Sequence, residues 1–299
     1  MKHIPVLLDE VIENLHIKEN GIYIDLTLGR AGHSKEILKR LKNGTLICFD
    51  KDIEAINESK DSLKSSNSKV ILIKSDFRFI LDELKKLNIT KVDGILADLG
   101  TSSPQLDNTD RGFSYKENAK LDMRMDLSSP LKASDILNNY SEEQIDKILY
   151  KNADVKFSRK IAKAIVENRP FDYSNKLVEL LRDILPAKVV REKNPAKQVF
   201  QALRIEVNDE LNSIKEMLDS LPQLMNKDGK ILIITFHSKE DYLVKKFYQD
   251  LNYVDPIKAK LPTFDENKSW SQKIIFPSKT EIETNKRAKS AKLRVITKL

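Results

Sequence analysis

Four short apolar runs in the first hundred residues, each closed by an acid and followed by a helix-forming pattern, constrain this chain more than any other feature. They are 22–26 (IYIDL), 46–49 (LICF, then Asp50), 70–73 (VILI, leading to Asp76-Phe77) and 92–99 (VDGILADL). Helical periodicity fills the intervals at about 33–41, 53–63 and 80–87. Strands that are nearly continuously apolar and alternate with helices read as βαβ units in a parallel sheet with both faces covered. From about Arg111 to Asp209 there is no good strand, and amphipathic helices are expected at 141–150, 158–168 and 174–185. The strand signal returns at 230–236 (KILIITF) after the turn Asp228-Gly229. A helix at 238–249, a Pro-punctuated stretch and late strands at 273–276 and 293–297 follow. The economical reading is one α/β sheet interrupted by an inserted all-α domain, with boundaries at 1–109, 110–209 and 210–299. Two domains in series would leave the 230–236 strand without its sheet.

In an open α/β sheet, ligands lie beyond the carboxyl ends of the strands. The first strand ends in Asp25 and turns through Gly29-Arg30-Ala31-Gly32-His33-Ser34. The chain has only 8 glycines, so two in one short turn point to a backbone that must approach a ligand or take positive φ. The pattern is not GxGxxG, which disfavours a nicotinamide dehydrogenase. Asp50 stands 21 residues after Gly29, where a carboxylate can accept both hydroxyls of a ribose. Asp76-Phe77 could flank an adenine, and Asp98 ends the fourth strand, where a reacting group is held. Acids at four successive strand ends (25, 50, 76 and 98) suit a cationic, non-phosphorylated nucleoside cofactor, S-adenosylmethionine, better than a dinucleotide.

Net charge is +7, and 40 of the 52 basic residues are Lys. Five of those seven charges fall in residues 279–299, a basic tail whose Lys286, Arg287, Lys289, Lys292 and Arg294 would give salt-dependent affinity for a polyanion. One cysteine, Cys48, excludes an internal disulfide and points to the cytoplasm. Four scattered histidines (3, 16, 33 and 237) give no zinc spacing, so no metal is expected. No apolar run is long enough to span a bilayer, and the N-terminus lacks a signal-peptide cleavage site.

After Asp98 come the strings 99–107 (LGTSSPQLD), 111–115 (RGFSY) and 121–126 (LDMRMD). With 3–8 (HIPVLL), 29–34, 50–52 (DKD), 200–205 (FQALRI) with Val207-Asn208, 236–238 (FHS) with Glu240-Asp241, and 285–294, they resemble the RsmH (MraW) family nearly end to end. That family methylates N(4) of a cytidine in the decoding region of bacterial small-subunit ribosomal RNA. The resemblance implies a class I (Rossmann-like) S-adenosylmethionine-dependent methyltransferase sheet with a helical insertion as the substrate-recognition domain. It implies a cofactor site at Ala31, Gly32, His33, Asp50, Phe77, Asp98 and Gln105; His33 and Gln105 come from the resemblance alone. The chain departs from the family at Ala119-Lys120, Lys151-Asn152-Ala153, Lys239, Tyr242 and Lys289, none of them a cofactor position.

The N(4) amine of cytosine is a poor nucleophile, because its lone pair is conjugated with the ring. It must be held in line with the methyl and its hydrogens accepted by oxygen. Asp98, with Ser102 and Ser103 on the following turn, are the candidates; the serines could equally shape the turn through local hydrogen bonds. A base inside a helix must be turned out to react. Phe113 and Tyr115 could wall its pocket, with Arg111 and Arg124 on phosphates or base edges; an ordinary hinge, with Met123 and Met125 as core, is the alternative. Arg204 and Asn208 share a helical face, pointing to RNA or tying the insertion to the sheet, and His237 ends the last clear strand near the substrate. The expected partner is small-subunit rRNA within an assembled subunit. The rival readings are an amino-methyltransferase on another RNA and a catalytically silent RNA-binding or ribosome-assembly protein.

Overall fold

A computed structural model describes residues 4–64, 67–192, 194–253 and 268–299. His3 and most of the Pro-punctuated stretch lie outside the described residues, as does the side chain of Ser103. The chain opens with α1 (Leu8–Leu15) and then alternates: β1 (Ile22–Asp25), α2 (Gly32–Leu38), β2 (Thr45–Asp50), α3 (Ile53–Lys60), β3 (Lys69–Lys74), α4 (Ile80–Lys86) and β4 (Val92–Asp98). Seven helices follow: α5 (Ser103–Asp107), α6 (Ala133–Asn139), α7 (Glu142–Ala153), α8 (Ser158–Glu167), α9 (Ser174–Ile184), α10 (Ala187–Glu192) and α11 (Ala196–Asn208). The chain closes with α12 (Glu210–Leu224), β5 (Met225–Thr235), α13 (Ser238–Leu251), β6 (Trp270–Ile275), α14 (Lys279–Thr284) and β7 (Lys292–Lys298).

The strands form one seven-stranded sheet in the order β3-β2-β1-β4-β5-β7-β6. Strands β1 to β5 pair in parallel, and β7 runs antiparallel to both β5 and β6. This order, with a single reversed strand, is that of a class I methyltransferase sheet. Along each inner strand, successive residues feed opposite faces. Ile47 and Phe49 join Ile95, Ala97, Ile231 and Ile233 against α4, α12 and α13. Leu46 and Cys48 join Leu96, Leu232 and Ile234 against α1 and α2. Both faces are covered, which is why these runs read as continuously apolar.

Several boundaries differ from the sequence expectation. The Asp228-Gly229 turn lies inside β5: Val92 pairs with Met225 and Gly94 with Lys230, so the intervening residues bulge around Asp228, whose φ is 62°. The basic tail is not a tail but α14, a 3₁₀ turn and β7. Lys292 and Arg294 are spent there on Asp241, at 2.6 and 2.8 Å, and Arg294 is 4% exposed. Lys286, Arg287 and Lys289 remain exposed. Helix α12 was legible but is absent from the sequence expectation, although Ile214, Met217, Leu218 and Leu221 follow helical spacing.

By contacts, the chain divides into a sheet unit (1–100 and 212–299) and a helical unit (101–211). The first boundary falls ahead of the expected 109/110, because α5 and the turn after it join the helices. The helical unit has its own core, built by Ile136, Leu149, Ile161, Leu177 and Leu203 together with Phe113, Leu121, Met123 and Met125 from the loop before α6.

Candidate active site

Strand order reverses between β1 and β4, which neighbour each other while their onward connections leave in opposite directions. The carboxyl ends at such a switch point open a crevice. Its two sides are joined by a hydrogen bond from the Asp98 backbone N–H to Thr27 Oγ1, at 2.7 Å.

The glycine turn works differently from its sequence reading. Gly29 takes a positive φ of 49°, as expected, but the second left-handed residue is Ala31, at 58°. Gly32 has ordinary backbone; a Cβ there would lie 2.3 Å from Pro5 Cγ, so the missing side chain admits Pro5. Ala31 is fully buried, and its N–H closes the turn on Leu28 O at 2.7 Å.

Of the four strand-end acids, two are committed internally. Asp25 is 1% exposed and accepts from Thr27 N and Ser34 Oγ. Burial nevertheless raises its pKa. Asp76 accepts from Arg78 N and lies near Lys51 and the Arg78 guanidinium, so its charge is met. Phe77 is half-buried in a 3₁₀ turn against the sheet core.

Asp50 and Asp98 are different. Each oxygen of Asp50 accepts one backbone N–H, Gly29 and Asp52, both at 2.9 Å. A carboxylate oxygen has two lone pairs, so each keeps one. Burial, against those two hydrogen bonds, pushes Asp50 up to about 6. Asp98 Oδ1 is buried and has no hydrogen-bond partner among the described residues. Its Oδ2 is 3.9 Å from His33 Nδ1. Burial, reinforced by the charges of Asp25 and Glu240, pushes Asp98 well above the usual carboxylate range. His33 is buried, with Nε2 3.0 Å from Val6 O, a contact that fixes the Nε2–H tautomer and turns the Nδ1 lone pair toward Asp98. Burial lowers the His33 pKa, so the ring is neutral.

The remaining sequence candidates take structural partners. His237 caps α13, its Nδ1 accepting from Glu240 N while the Glu240 carboxylate accepts from Phe236 N and His237 N. In the helical unit, Gln105 is buried and its Oε1 accepts from Ser102 N. Arg111 is 6% exposed and donates to Arg124 O and Met125 O. Arg124 clasps Asp122 through two nitrogens and donates to Leu127 O and Ser129 O. Phe113 is 5% exposed in the core, and Tyr115 packs edge-on against Phe200 with ring centroids 5.7 Å apart. Arg204 forms a two-point pair with Glu210, both bonds 2.8 Å. Asn208 accepts from Met125 N and donates to Met123 O and Arg204 O. Asn208 and the Tyr115–Phe200 contact tie the 111–126 loop to α11, Arg111 and Arg124 bond within that loop, and Arg204 pairs with Glu210, an arrangement in keeping with the hinge reading that the sequence offered beside RNA contact. Sequence spacing alone could not reveal this, because most partners are backbone groups whose approach depends on how the loop folds back.

Residues 1–299 match the MraW methylase family. The chain is 59% identical over 285 residues to the ribosomal RNA small subunit methyltransferase H of Metamycoplasma arthritidis, covering 95% of this chain and 99% of the relative. It is 52% identical over 301 residues to the protein of that name in Mycoplasmopsis agalactiae, covering 100% and 99%. The Finegoldia magna protein of the same name is 44% identical over 308 residues, covering 100% and 99%. Among solved structures, an rRNA methylase from Streptococcus thermophilus aligns over 100% of this chain and 99% of its own at a TM-score of 0.43 and 10% identity. The chain belongs to the MraW methylase family.

Proposed function

We propose that this chain transfers the methyl group of S-adenosylmethionine to the exocyclic N(4) of a cytidine in the decoding region of small-subunit (16S) ribosomal RNA. The observation that carries the reading is the Asp98 carboxylate at the switch point, with a buried oxygen that no donor among the described residues satisfies. A buried acceptor of this kind is costly to keep unless a ligand completes it. The relatives named ribosomal RNA small subunit methyltransferase, spanning nearly the whole chain, support the substrate class.

The residues fit the cofactor. S-adenosylmethionine supplies an electrophilic methyl on a sulfonium, and the leaving thioether is neutral, so no metal is required. Asp50 keeps one lone pair on each oxygen for the two ribose hydroxyls, and the Gly29–Ala31 turn brings backbone close beside it. Phe77 would flank the adenine. His33, fixed through Val6 O, would stand beside Asp98 in the cofactor site. Asp98 would accept a hydrogen from the target amine, freeing the nitrogen lone pair for in-line attack, and Ser102 and Ser103 would help to orient that amine. We place the reaction in the cytoplasm on an assembled small subunit; no helix among the described residues is long and apolar enough to cross a membrane.

The test uses small subunits lacking the modification, incubated with the protein and methyl-labelled S-adenosylmethionine, then digested to nucleosides for mass spectrometry. Labelled N(4)-methylcytidine that disappears with Asp98→Ala supports the reading. No label, with cofactor binding intact by calorimetry, points to another RNA. No cofactor binding points to a non-catalytic RNA-binding protein.

A further inference from the structure

We infer that the groove between α7 and α8 is a docking site for single-stranded RNA, with bases stacked on Tyr150 and Phe157 and phosphates held by Lys147, Lys151, Lys156 and Arg159. The inference rests on the reading that the chain acts on RNA, and it concerns the helical unit alone.

Helix α7 buries Ile145, Ile148, Leu149, Asn152 and Ala153. Its outer face carries Lys147, Tyr150 and Lys151, at positions i, i+3 and i+4. Tyr150, on this outer face, is 66% exposed. The chain leaves α7 through Asp154 and enters α8 through Phe157, both left-handed, with φ of 48° and 62°. A bulky aromatic in that region is strained. Here the strain gains no burial, because Phe157 remains 46% exposed. What the conformation secures is a second aromatic face seven residues from the first.

Between them lies an open groove of 540 Å³ whose wall includes Val155 and Ser158. Its rim carries four cations, all exposed, against one lining acid. That acid, Asp146, lies 3.5 Å from Arg159 Nε, so the other three cations face solvent unopposed by a lining carboxylate. Surplus positive charge selects a polyanion, and exposed aromatic faces select unstacked bases. Only a single-stranded nucleic acid uses both, since an acidic peptide leaves the rings idle and a duplex hides its base faces.

The experiment measures binding of a fluorescent single-stranded RNA dodecamer to the full chain by anisotropy across a salt series. Tyr150→Ala and Phe157→Ala are each expected to weaken binding at least about fivefold, the loss of one base stack. Tyr150→Phe, which keeps the ring, is expected to bind like the parent, separating stacking from misfolding. Replacing Lys147, Lys151 and Lys156 together by Gln is expected to reduce the slope of log affinity against log salt by about 2, at about 0.7 per phosphate contact on a single strand. Parent-like affinity and slope in all variants would overturn the inference. So would variants that lose the assembled subunit but still bind the dodecamer, which would assign the groove to a protein. Methyl transfer to subunits by the parent, run alongside, shows whether the proposed function stands when the groove does not.

Discussion

Asp50 and Asp98 both end strands, yet their surroundings prepare them for different work. Asp50 is held by two backbone N–H groups and is displaced only to about 6, so it ionises near neutrality. A ribose diol donates to the ionised form, and cofactor binding therefore releases a proton from whatever fraction of Asp50 is protonated. Below its pKa that fraction grows, so affinity for S-adenosylmethionine falls as pH drops. With a pKa near 6, the loss between pH 7 and pH 5 is about tenfold. Calorimetry at the two pH values checks this, and Asp50→Asn is expected to bind weakly with the Asp50 contribution to the slope gone. Asp98 Oδ1 has no donor among the described residues, and the folded pKa of Asp98 lies well above the unfolded value. Such a group destabilises the fold once it must ionise, and stability returns as pH falls through the folded pKa. Asp98→Asn is thus expected to abolish methyl transfer by about a hundredfold or more while melting no lower than the parent at pH 7. A lower melting temperature would give Asp98 a structural role instead.

At the scale of elements, the loop 111–126 and strand β7 place their cations by internal demand. Arg204 and Glu210 form a nearly buried two-point pair, and removing one partner of such a pair costs about 3–5 kcal/mol. Arg204→Ala is expected to lower the melting temperature while leaving RNA affinity of the folded protein within about twofold. Reduced affinity without reduced stability would support Arg204 as an RNA contact. Asp241 serves β7 in the same way. Burial opposes its ionisation, but hydrogen bonds from Arg294 and Lys292 outweigh it and hold its pKa below the usual value. Its contribution is therefore present above the unfolded carboxylate pKa and lost as pH falls through the lower folded value. Asp241→Ala leaves Arg294 buried without its acid and is expected to cost about 3 kcal/mol or more by chemical denaturation at pH 7. The sequence showed these arginines as cations near a presumed RNA site. It could not show that Arg111 is 6% exposed or that Arg124 meets Asp122, because partner choice follows from how the loop folds back.

For the molecule as a whole, ligand protection should follow the strand ends of the sheet unit. S-adenosylmethionine at about 100 times its Kd stabilises the unit that holds it by about 2.7 kcal/mol. Hydrogen exchange is expected to slow at 27–33, 50–52, 76–78 and 98–100 and to stay unchanged in α7 to α9. Protection confined to α7 to α9 would misplace the cofactor. The sequence by itself determined the alternation of strands and helices, the helical insertion, and the strand-end positions of Asp50 and Asp98. These follow from local periodicity and from a topology that gathers carboxyl ends at one edge. Only the tertiary structure decided which polar groups remain for a ligand. Asp25, Asp76, Arg111, Arg124, Arg204 and Asn208 are satisfied by residues that folding brings to them. A buried polar group is completed by whatever donor or acceptor lies within about 3 Å, and that neighbour is fixed by packing rather than by spacing along the chain.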